Sequence, residues 1–430
     1  MAEPSTRPLL SLPLLVLVGV AEALCPHCIA HQLEKPQRWE TPIHFDGGRD
    51  LLSVTRALAN LAATCKDLNA IVTPILYHQP QGDPKQRVSL LRTLDRRPDL
   101  ARRVKVLRLD YDYDPDIENE NDRAFILELV ARYRQPTTPQ PDADTEDDKQ
   151  PDDKRVDGDF RLNLLLAMCP NLETFSAGMD YFYEIDLLRP ASLTRLKDAY
   201  VAHRDTELGI HLESLRGLYL AAPHIETFTS YMTASVGREP LHLSNLRHLR
   251  LEQSAISAGC LRALLQSCPQ LESFLYEAGG AHISFEQFSV RSLRKLLLRY
   301  VPRLKHLELD FQQDGVLSDD DDQEDDAGDG LDPDPAPGFA SLSHLETLVV
   351  DPDILDNMHL DKHEPAATLF PQSLKSLLVT THGYGIPSKI GGEEVSAFAS
   401  SAPTLLPHLT VVNFRFYGKE SYKLEYLQIL

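Results

Sequence analysis

The 430-residue sequence lacks the features that mark most secreted and membrane proteins. It contains no Asn-x-Ser/Thr acceptor for an N-linked glycan. No stretch approaches the roughly 18–20 consecutive apolar residues that a membrane-spanning helix needs. It has six cysteines, which are Cys25, Cys28, Cys65, Cys169, Cys260 and Cys268. That is too few in a chain of this length for a disulfide framework, so we expect a cytoplasmic or nuclear protein without a membrane partner.

Positive charge is also scarce. The chain has 43 Lys and Arg against 64 Asp and Glu, a formal net charge of −21, which repels nucleic acid. Much of the excess lies in tracts at about 135–158 and 312–338, which have no apolar period and are predicted to be disordered insertions. The run Asp319–Asp326 does not have the spacing of a calcium loop. We therefore expect no nucleic-acid partner and no calcium site.

Motifs for catalysis are missing as well. There is no Walker-type glycine loop, no Gly-x-Ser-x-Gly elbow and no His-Glu-x-x-His. Cys25-x-x-Cys28-x-x-His31 offers ligand types that zinc prefers, but a structural site needs four ligands. The nearest further candidates, His27 and His44, sit at no recognised spacing. The expectation is therefore buried thiols at a helix end, with no catalytic residue, metal or cofactor.

What the sequence does contain is one short apolar pattern, shown by Leu246-Arg-His-Leu-Arg-Leu251. It recurs at Leu215/Leu218/Leu220, Leu271/Phe274/Tyr276, Leu293/Leu296/Leu298, Leu304/Leu307/Leu309, Leu345/Leu348/Val350, Leu374/Leu377/Val379 and Leu409/Val412/Phe414. Alternation at its last two positions predicts a strand with one buried face. So short a strand cannot bury that face alone and needs a similar neighbour on each side.

This pattern resembles the leucine-rich repeat. Val104, Leu107 and Leu109 give its first copy, and a helix, then Cys-Pro, then a strand recurs at Cys169 and Cys268. The resemblance implies an α/β fold, an irregular leucine-rich-repeat solenoid of parallel strands with helices, over residues 84–430.

The N-terminal segment 9–24 has two interpretations. Arg7 followed by an apolar run and Ala21-x-Ala23 is typical of a cleaved secretory signal. Alternatively, Pro13 begins a helix, because proline is favoured at the first helical position and Leu14, Leu17 and Val18 follow at helical spacing.

A second resemblance covers residues 8–80. Leu12-Pro13 opens an apolar helix, and the segments Leu24-Cys-Pro-His-Cys28, Leu61-Ala-Ala-Thr-Cys-Lys-Asp-Leu68 and Thr73-Pro-Ile-Leu-Tyr77 follow. This arrangement resembles the F-box in the form common in filamentous fungi, where it is fused to irregular leucine-rich repeats. The family usually has an acidic or polar residue where this chain has Leu15.

The F-box resemblance implies a substrate-recruiting subunit of a cullin-RING (SCF-type) ubiquitin ligase, which is not itself an enzyme. The repeats would bind an unknown substrate protein. The N-terminal helices would dock the Skp-type adaptor through Leu12, Pro13, Leu17, Leu24, Leu58, Leu61, Leu68 and Leu76. Two alternatives remain: an interaction scaffold whose degenerate F-box no longer binds the adaptor, and a secreted repeat protein with a cleaved leader.

Overall fold

The computed structural model describes residues 12–32, 48–80, 86–109, 117, 119–134, 159–179, 184–203, 209–237, 239–279, 288, 290–311, 338–351, 354, 366–380, 392–418 and 421–428. The acidic tracts predicted to be disordered, about 135–158 and 312–338, lie outside these residues except for Gly338. The chain divides into two compact units, which are Met1–Gly178 with Glu184–Tyr200 and Leu220–Ala222, and Met179–Tyr183 with Val201–Tyr219 and Pro223–Leu430.

Helices and strands alternate along the described chain. The helices are α1 (Leu14–Glu22), α2 (Pro26–Gln32), α3 (Gly48–Thr64), α4 (Lys66–Leu76), α5 (Arg87–Arg96), α6 (Pro98–Ala101), α7 (Glu120–Tyr133), α8 (Asp159–Met168), α9 (Arg216–Ala221), α10 (Ala258–Ser267), α11 (Val290–Tyr300) and α12 (Gly392–Leu405). The strands are β1 (Val106–Leu109), β2 (Thr174–Met179), β3 (Asp198–His203), β4 (Ile210–His211), β5 (Thr227–Tyr231), β6 (Thr233–Ser235), β7 (His248–Ser254), β8 (Ser273–Ala278), β9 (His306–Asp310), β10 (Thr347–Val350), β11 (Ser376–Thr380), β12 (Val411–Gly418) and β13 (Ser421–Gln428).

The first unit begins with four helices that share a small apolar core. Six residues from α1, α3, α4 and the turn before α2 form it: Ala21, Cys25, Leu58, Ala62, Val72 and Ile75. The strands β1 and β2 follow later in the chain and pair in parallel, with Val106 opposite Thr174. The carbonyl of His78, just after α4, accepts hydrogen bonds from the backbone N–H groups of Lys105 and Val106 at 2.8 and 2.9 Å. The predicted 8–80 segment is therefore hydrogen-bonded directly to the first repeat strand.

The second unit carries a long run of repeats. Its strands are ordered β5–β7–β8–β9–β10–β11–β12–β13, all parallel except β13, which is antiparallel to β12. In β7, Leu249 and Leu251 are fully buried, because alternate residues of a strand face the core. The same alternation buries Leu307 and Leu309 in β9. The α/β fold with parallel strands and helices, predicted from the repeat pattern, is confirmed.

Two copies of the pattern were assigned wrongly to strands. Leu293, Leu296 and Leu298 lie in α11, and Leu215, Leu218 and Leu220 lie in the 3-10 turn Leu212–Leu215 and in α9. The first two positions, i and i+3, share a helix face, and only the third distinguishes the two periods; in α9 this third residue, Leu220, is 38% exposed. In α11 the additional buried Leu297 completes a helical period that decides the assignment.

Among the strands that the sequence pattern does not predict, β3 and β5 carry small or polar residues at buried positions. In β5, Phe228 is followed by a buried Ser230, where the pattern expects an apolar residue. In β3, Ala199 and Val201 occupy the two positions after Leu196. Both segments begin with the expected apolar residue, so a pattern that tolerated Ala or Ser would have found them.

Charged residues of alternating sign precede successive strands. In the second unit these are Glu226, Arg247, Glu272, Lys305, Glu346 and Lys375, and each carbonyl accepts the first two N–H groups of the next rung. Their side chains pair across the rungs, since Glu272 contacts Lys305 at 2.8 Å and Arg247 at 3.1 Å. Lys375 pairs with Glu346 at 2.9 Å. We call these six residues the charge ladder.

Candidate functional site

Helix α1 exposes an unusual amount of apolar surface. Leu15 is 83% exposed and Leu14 is 61% exposed, and the last residue of α1, Glu22, is its one charged residue. The other exposed members of this surface are Leu12, Val16 and Val20. We call Leu12, Leu14, Leu15, Val16 and Val20 the α1 apolar face. A helix that is apolar all round is normally covered on every side, so this face is suited to bind a partner.

The opposite side of α1 is packed inside the chain. Leu17 and Ala21 are buried, at the i, i+4 spacing that places two residues on one side of a helix. Ala21 joins the small core formed with α3 and α4. This packing fixes which residues of α1 remain available to a partner.

The structure separates the predicted adaptor-binding residues into three groups. Leu12 and Pro13 are exposed; Leu17, Leu58 and Leu68 are buried; and Leu24, Leu61 and Leu76 are partly buried against the small core. The sequence reasoning did not include Leu14, Leu15, Val16 or Val20, although the absence of polar residues among them was a usable signal. The adaptor contact itself stays a prediction, and the α1 apolar face is where the structure offers surface for it.

A second feature is a group of two cysteines and two histidines, Cys25, His27, Cys28 and His78, which we call the Cys–His cluster. Cys25 immediately precedes α2, His27 and Cys28 lie in its first turn, and His78 follows α4. One ligand atom from each residue lies within 4.8 Å of the other three. His78 Nδ1 is 3.5 Å from Cys28 Sγ and 3.9 Å from Cys25 Sγ, and His27 Nδ1 is 3.7 Å from Cys28 Sγ.

Burial keeps the Cys28 thiol and the His78 ring uncharged when only protons occupy them. Burial, followed by the neighbouring Cys25, raises the pKa of the Cys28 thiol to about 12. Burial is also the largest cause that lowers the pKa of His78 to about 4, with His27 and Lys105 adding to it. A neutral imidazole is the form that binds a metal ion.

Glu173 is not a member of the Cys–His cluster but contacts His27, which is. Its Oε2 lies 3.4 Å from His27 Nε2 and its Oε1 lies 2.6 Å from Lys105 Nζ. Burial works to raise the pKa of Glu173, but the bond from Lys105 and the contact with His27 outweigh it, so the net shift is downward. The carboxylate is thus ionised and orients the His27 ring.

From the sequence, Cys25, Cys28 and His31 are the candidate zinc ligands, and no metal site is predicted. The side chain of His31 lies outside the described residues, as does His44. The residue that completes a set of four is His78, 50 positions after Cys28. No local spacing could have identified it, because the fold of α2 against the end of α4 brings it there.

The repeat strands provide a further candidate surface on the side of the sheet opposite the leucine core. In β8 and β9 of the second unit, Glu277 lies opposite Asp310. Burial is the first cause that raises the pKa of Glu277, and the nearby carboxylates Asp310, Glu252 and Glu308 add to it. Arg250 lies 2.9 Å from Glu252, so the negative charge of this row is partly balanced within the chain.

Residues 206–313 match the family model described as "FBD-associated F-box protein At5g56370, LRR repeats". The chain is therefore similar to leucine-rich repeats found with an F-box, over a segment that runs from before β4 to just after β9. This supports the F-box and leucine-rich-repeat likeness predicted from the sequence and a general role in protein interaction. The matched segment does not include residues 8–80, whose likeness to an F-box stays a prediction. No curated protein matches the chain.

Among the described residues, none of the helices combines the length and apolarity required to cross a bilayer.

Proposed function

We propose that this protein is the substrate-recruiting F-box subunit of a cullin-RING (SCF-type) ubiquitin ligase. In this proposal the α1 apolar face docks the Skp-type adaptor, and the repeat strands hold the substrate protein. The observation that carries it is the α1 apolar face, which leaves Leu14 and Leu15 largely in water. The match of residues 206–313, in the middle of the chain, to leucine-rich repeats of an F-box protein also supports it.

The energetics favour a protein partner for this face. Fully burying a leucine or valine side chain gains about 1.5–3 kcal/mol, so covering several residues of the α1 apolar face offers enough for a stable contact. A few such apolar anchors usually account for most of the affinity of an interface. Because α1 is held by Leu17 and Ala21, the face is presented by a rigid element and needs little ordering upon binding.

The proposed role is positioning, without chemistry in this chain. The repeat array presents residues from successive strands on one surface, which is how solenoids bind their partners. Ubiquitin transfer would be performed by other subunits, and this chain would raise the effective concentration of the substrate near them. The proposal also places the protein in the cytoplasm or nucleus, with no nucleic-acid or membrane partner.

The test is co-purification of the full chain with the Skp-type adaptor. The double variant Leu15→Glu, Val20→Glu puts charge on two exposed positions, so we expect it to stay folded and to bind the adaptor roughly tenfold or more weakly. Leu127→Glu is the matched control, because Leu127 is a similarly exposed apolar residue (39%) in α7. It should bind the adaptor as the unaltered chain does.

A scaffold with a degenerate F-box is the second candidate. Leu15, the most exposed apolar side chain of α1, stands where F-box families usually carry an acidic or polar residue. If the folded, unaltered chain fails to capture the adaptor, the ligase proposal is wrong and the α1 apolar face binds a different protein.

A further inference from the structure

We propose that Cys25, His27, Cys28 and His78 bind one Zn²⁺ ion as a structural site. The proposal goes beyond the proposed function and is independent of it. It starts from the number and type of ligands, since two cysteines and two histidines form one of the sets that hold structural zinc. All four residues belong to the same compact unit.

The distances fit a tetrahedral zinc site. With Zn–S near 2.3 Å and Zn–N near 2.0–2.1 Å, the ligand atoms of a tetrahedron lie about 3.3–3.8 Å apart. The described sulfur–nitrogen separations are 3.5, 3.7 and 3.9 Å, and no pair in the Cys–His cluster exceeds 4.8 Å. The three sulfur–nitrogen separations therefore need shifts of only a few tenths of an ångström, and a pair as far apart as 4.8 Å must approach by about 1–1.5 Å to reach coordination.

The histidine tautomer also fits. Because Glu173 Oε2 accepts from His27 Nε2, the neutral His27 ring carries its proton on Nε2 and its lone pair on Nδ1. That lone pair is directed to Cys28 Sγ, toward the centre of the cluster. A carboxylate bound to the outer nitrogen of a metal-binding histidine is the usual second partner in zinc sites. Lys105 holds Glu173 in place with an ion pair of 2.6 Å.

The backbone fixes the fourth ligand. His78 follows α4, and its carbonyl accepts hydrogen bonds from Lys105 and Val106 at the start of β1. Cys25 is 1% exposed and belongs to the small apolar core. The ligands therefore come from two positions that the fold already holds, which reduces the entropy lost on binding the ion.

Zinc binding would release two protons and leave a site with no net charge. Each thiol loses one proton to solvent, so two thiolates and two neutral imidazoles surround Zn²⁺ and the site is formally neutral. With four protein ligands there is no open position for water or substrate, so the ion is structural and not catalytic. Its effect is to connect α2 to the end of α4, next to the first repeat strand.

The first experiment measures the zinc content of the purified full chain. We expect about one zinc ion per chain that survives dialysis, and a loss of at least about tenfold in Cys28→Ser and in His78→Gln. Cys65→Ser is the matched control, since Cys65 precedes α4 in the same helical region but is not in the Cys–His cluster. It should retain the ion.

A second experiment guards against variants that simply fail to fold. Replacing zinc by Co²⁺ should give the strong visible absorption of tetrahedral cobalt together with a thiolate charge-transfer band. Cys28→His keeps four ligands, so it should keep the visible bands while the charge-transfer band falls to about half. Metal-free unaltered protein, octahedral cobalt spectra, or equal loss of zinc in Cys65→Ser would each overturn the proposal and leave only thiol–imidazole hydrogen bonds.

Discussion

Leu15 and Leu17 are two residues apart on α1, and their side chains lie in opposite environments. Leu17 is 6% exposed and packs inside the first unit, whereas Leu15 is almost fully in water. The sequence pattern predicts one apolar helix that contains both residues, and the F-box resemblance assigns Leu17 to the adaptor contact. Periodicity does not show which side of α1 is buried, because the helix has no polar side.

This difference predicts opposite effects on stability. Leu17→Ala should lower the free energy of unfolding by about 2–5 kcal/mol, because it removes buried methyl groups and leaves a cavity. Leu15→Ala should change it by no more than about 0.5 kcal/mol. Urea denaturation of both variants measures this directly. Equal effects from the two substitutions would contradict the burial described for α1.

The Cys–His cluster gives the same lesson at the residue scale. From the sequence, Cys25 and Cys28 are of the residue types that bind zinc, and His27 is a further candidate. No zinc site is predicted, because no fourth residue lies at a suitable spacing. His78 was invisible to that reasoning, since its position depends on the hydrogen bonds between its carbonyl and β1. Local motifs reveal a metal site only when all ligands are close in the sequence.

At the scale of elements, the repeat pattern predicted most strands but not all helices. Strands such as β7, β9 and β11 carry apolar residues at every fixed position, so their alternation was clear. In α11 the same spacing belongs to a helix, and only the next segment, entered after Pro302, forms the strand. Pro302 follows the end of α11 and cannot continue the helix, so the strand begins only after it.

The charge ladder lies at the beginning of the strands and was not recognised from the sequence. Its members, such as Glu272 and Lys305, are far apart in the chain and become neighbours only when the strands stack in register. Leaving one strand out of the stack would put like charges side by side, which is unfavourable. We infer that the ladder helps to specify the order of the strands in the second unit.

Glu272 provides a test of the ladder. Its hydrogen bond from Lys305 is the largest cause that lowers the pKa of this carboxyl, and Arg247 contributes as well. A lowered carboxyl pKa adds stability above the ordinary value of about 4.5, and this is lost as the pH falls through the folded-state pKa. Glu272→Gln should therefore be less stable at pH 7, by about 1 kcal/mol for two surface ion pairs.

The dependence of this stability difference on pH and on salt distinguishes a loss of ion pairs from a loss of packing. The difference between Glu272→Gln and the unaltered chain should shrink as the pH falls below about 4.5, where Glu272 itself becomes neutral. It should also shrink at 1 M salt, because screening weakens exposed ion pairs. Thermal unfolding across pH and salt measures both, and a difference independent of both conditions would rule out the electrostatic explanation.

At the scale of the whole molecule, the first unit contains both the predicted 8–80 segment and the beginning of the predicted 84–430 solenoid. The predicted boundary between 8–80 and 84–430 is crossed by hydrogen bonds from Lys105 and Val106 to His78 within one compact unit. An open solenoid needs its first rung covered. The N-terminal helices of the first unit are followed by His78, whose carbonyl pairs with the backbone at the start of β1 and so covers this strand.

This arrangement bears on the alternative that residues 9–24 form a cleaved leader. Cleavage after Ala23 would remove Leu17 and Ala21, both buried, together with Val18, which packs against the small core. We therefore expect the mature protein to retain these residues, and an engineered chain beginning at Leu24 to be less stable by several kcal/mol, as expected for loss of two or more buried side chains. Intact mass of the protein purified from its own cells decides the first point, and urea denaturation the second. A mature mass lacking residues 1–23, with undiminished stability, would mean that α1 is a signal segment and that the α1 apolar face has no role in binding a partner.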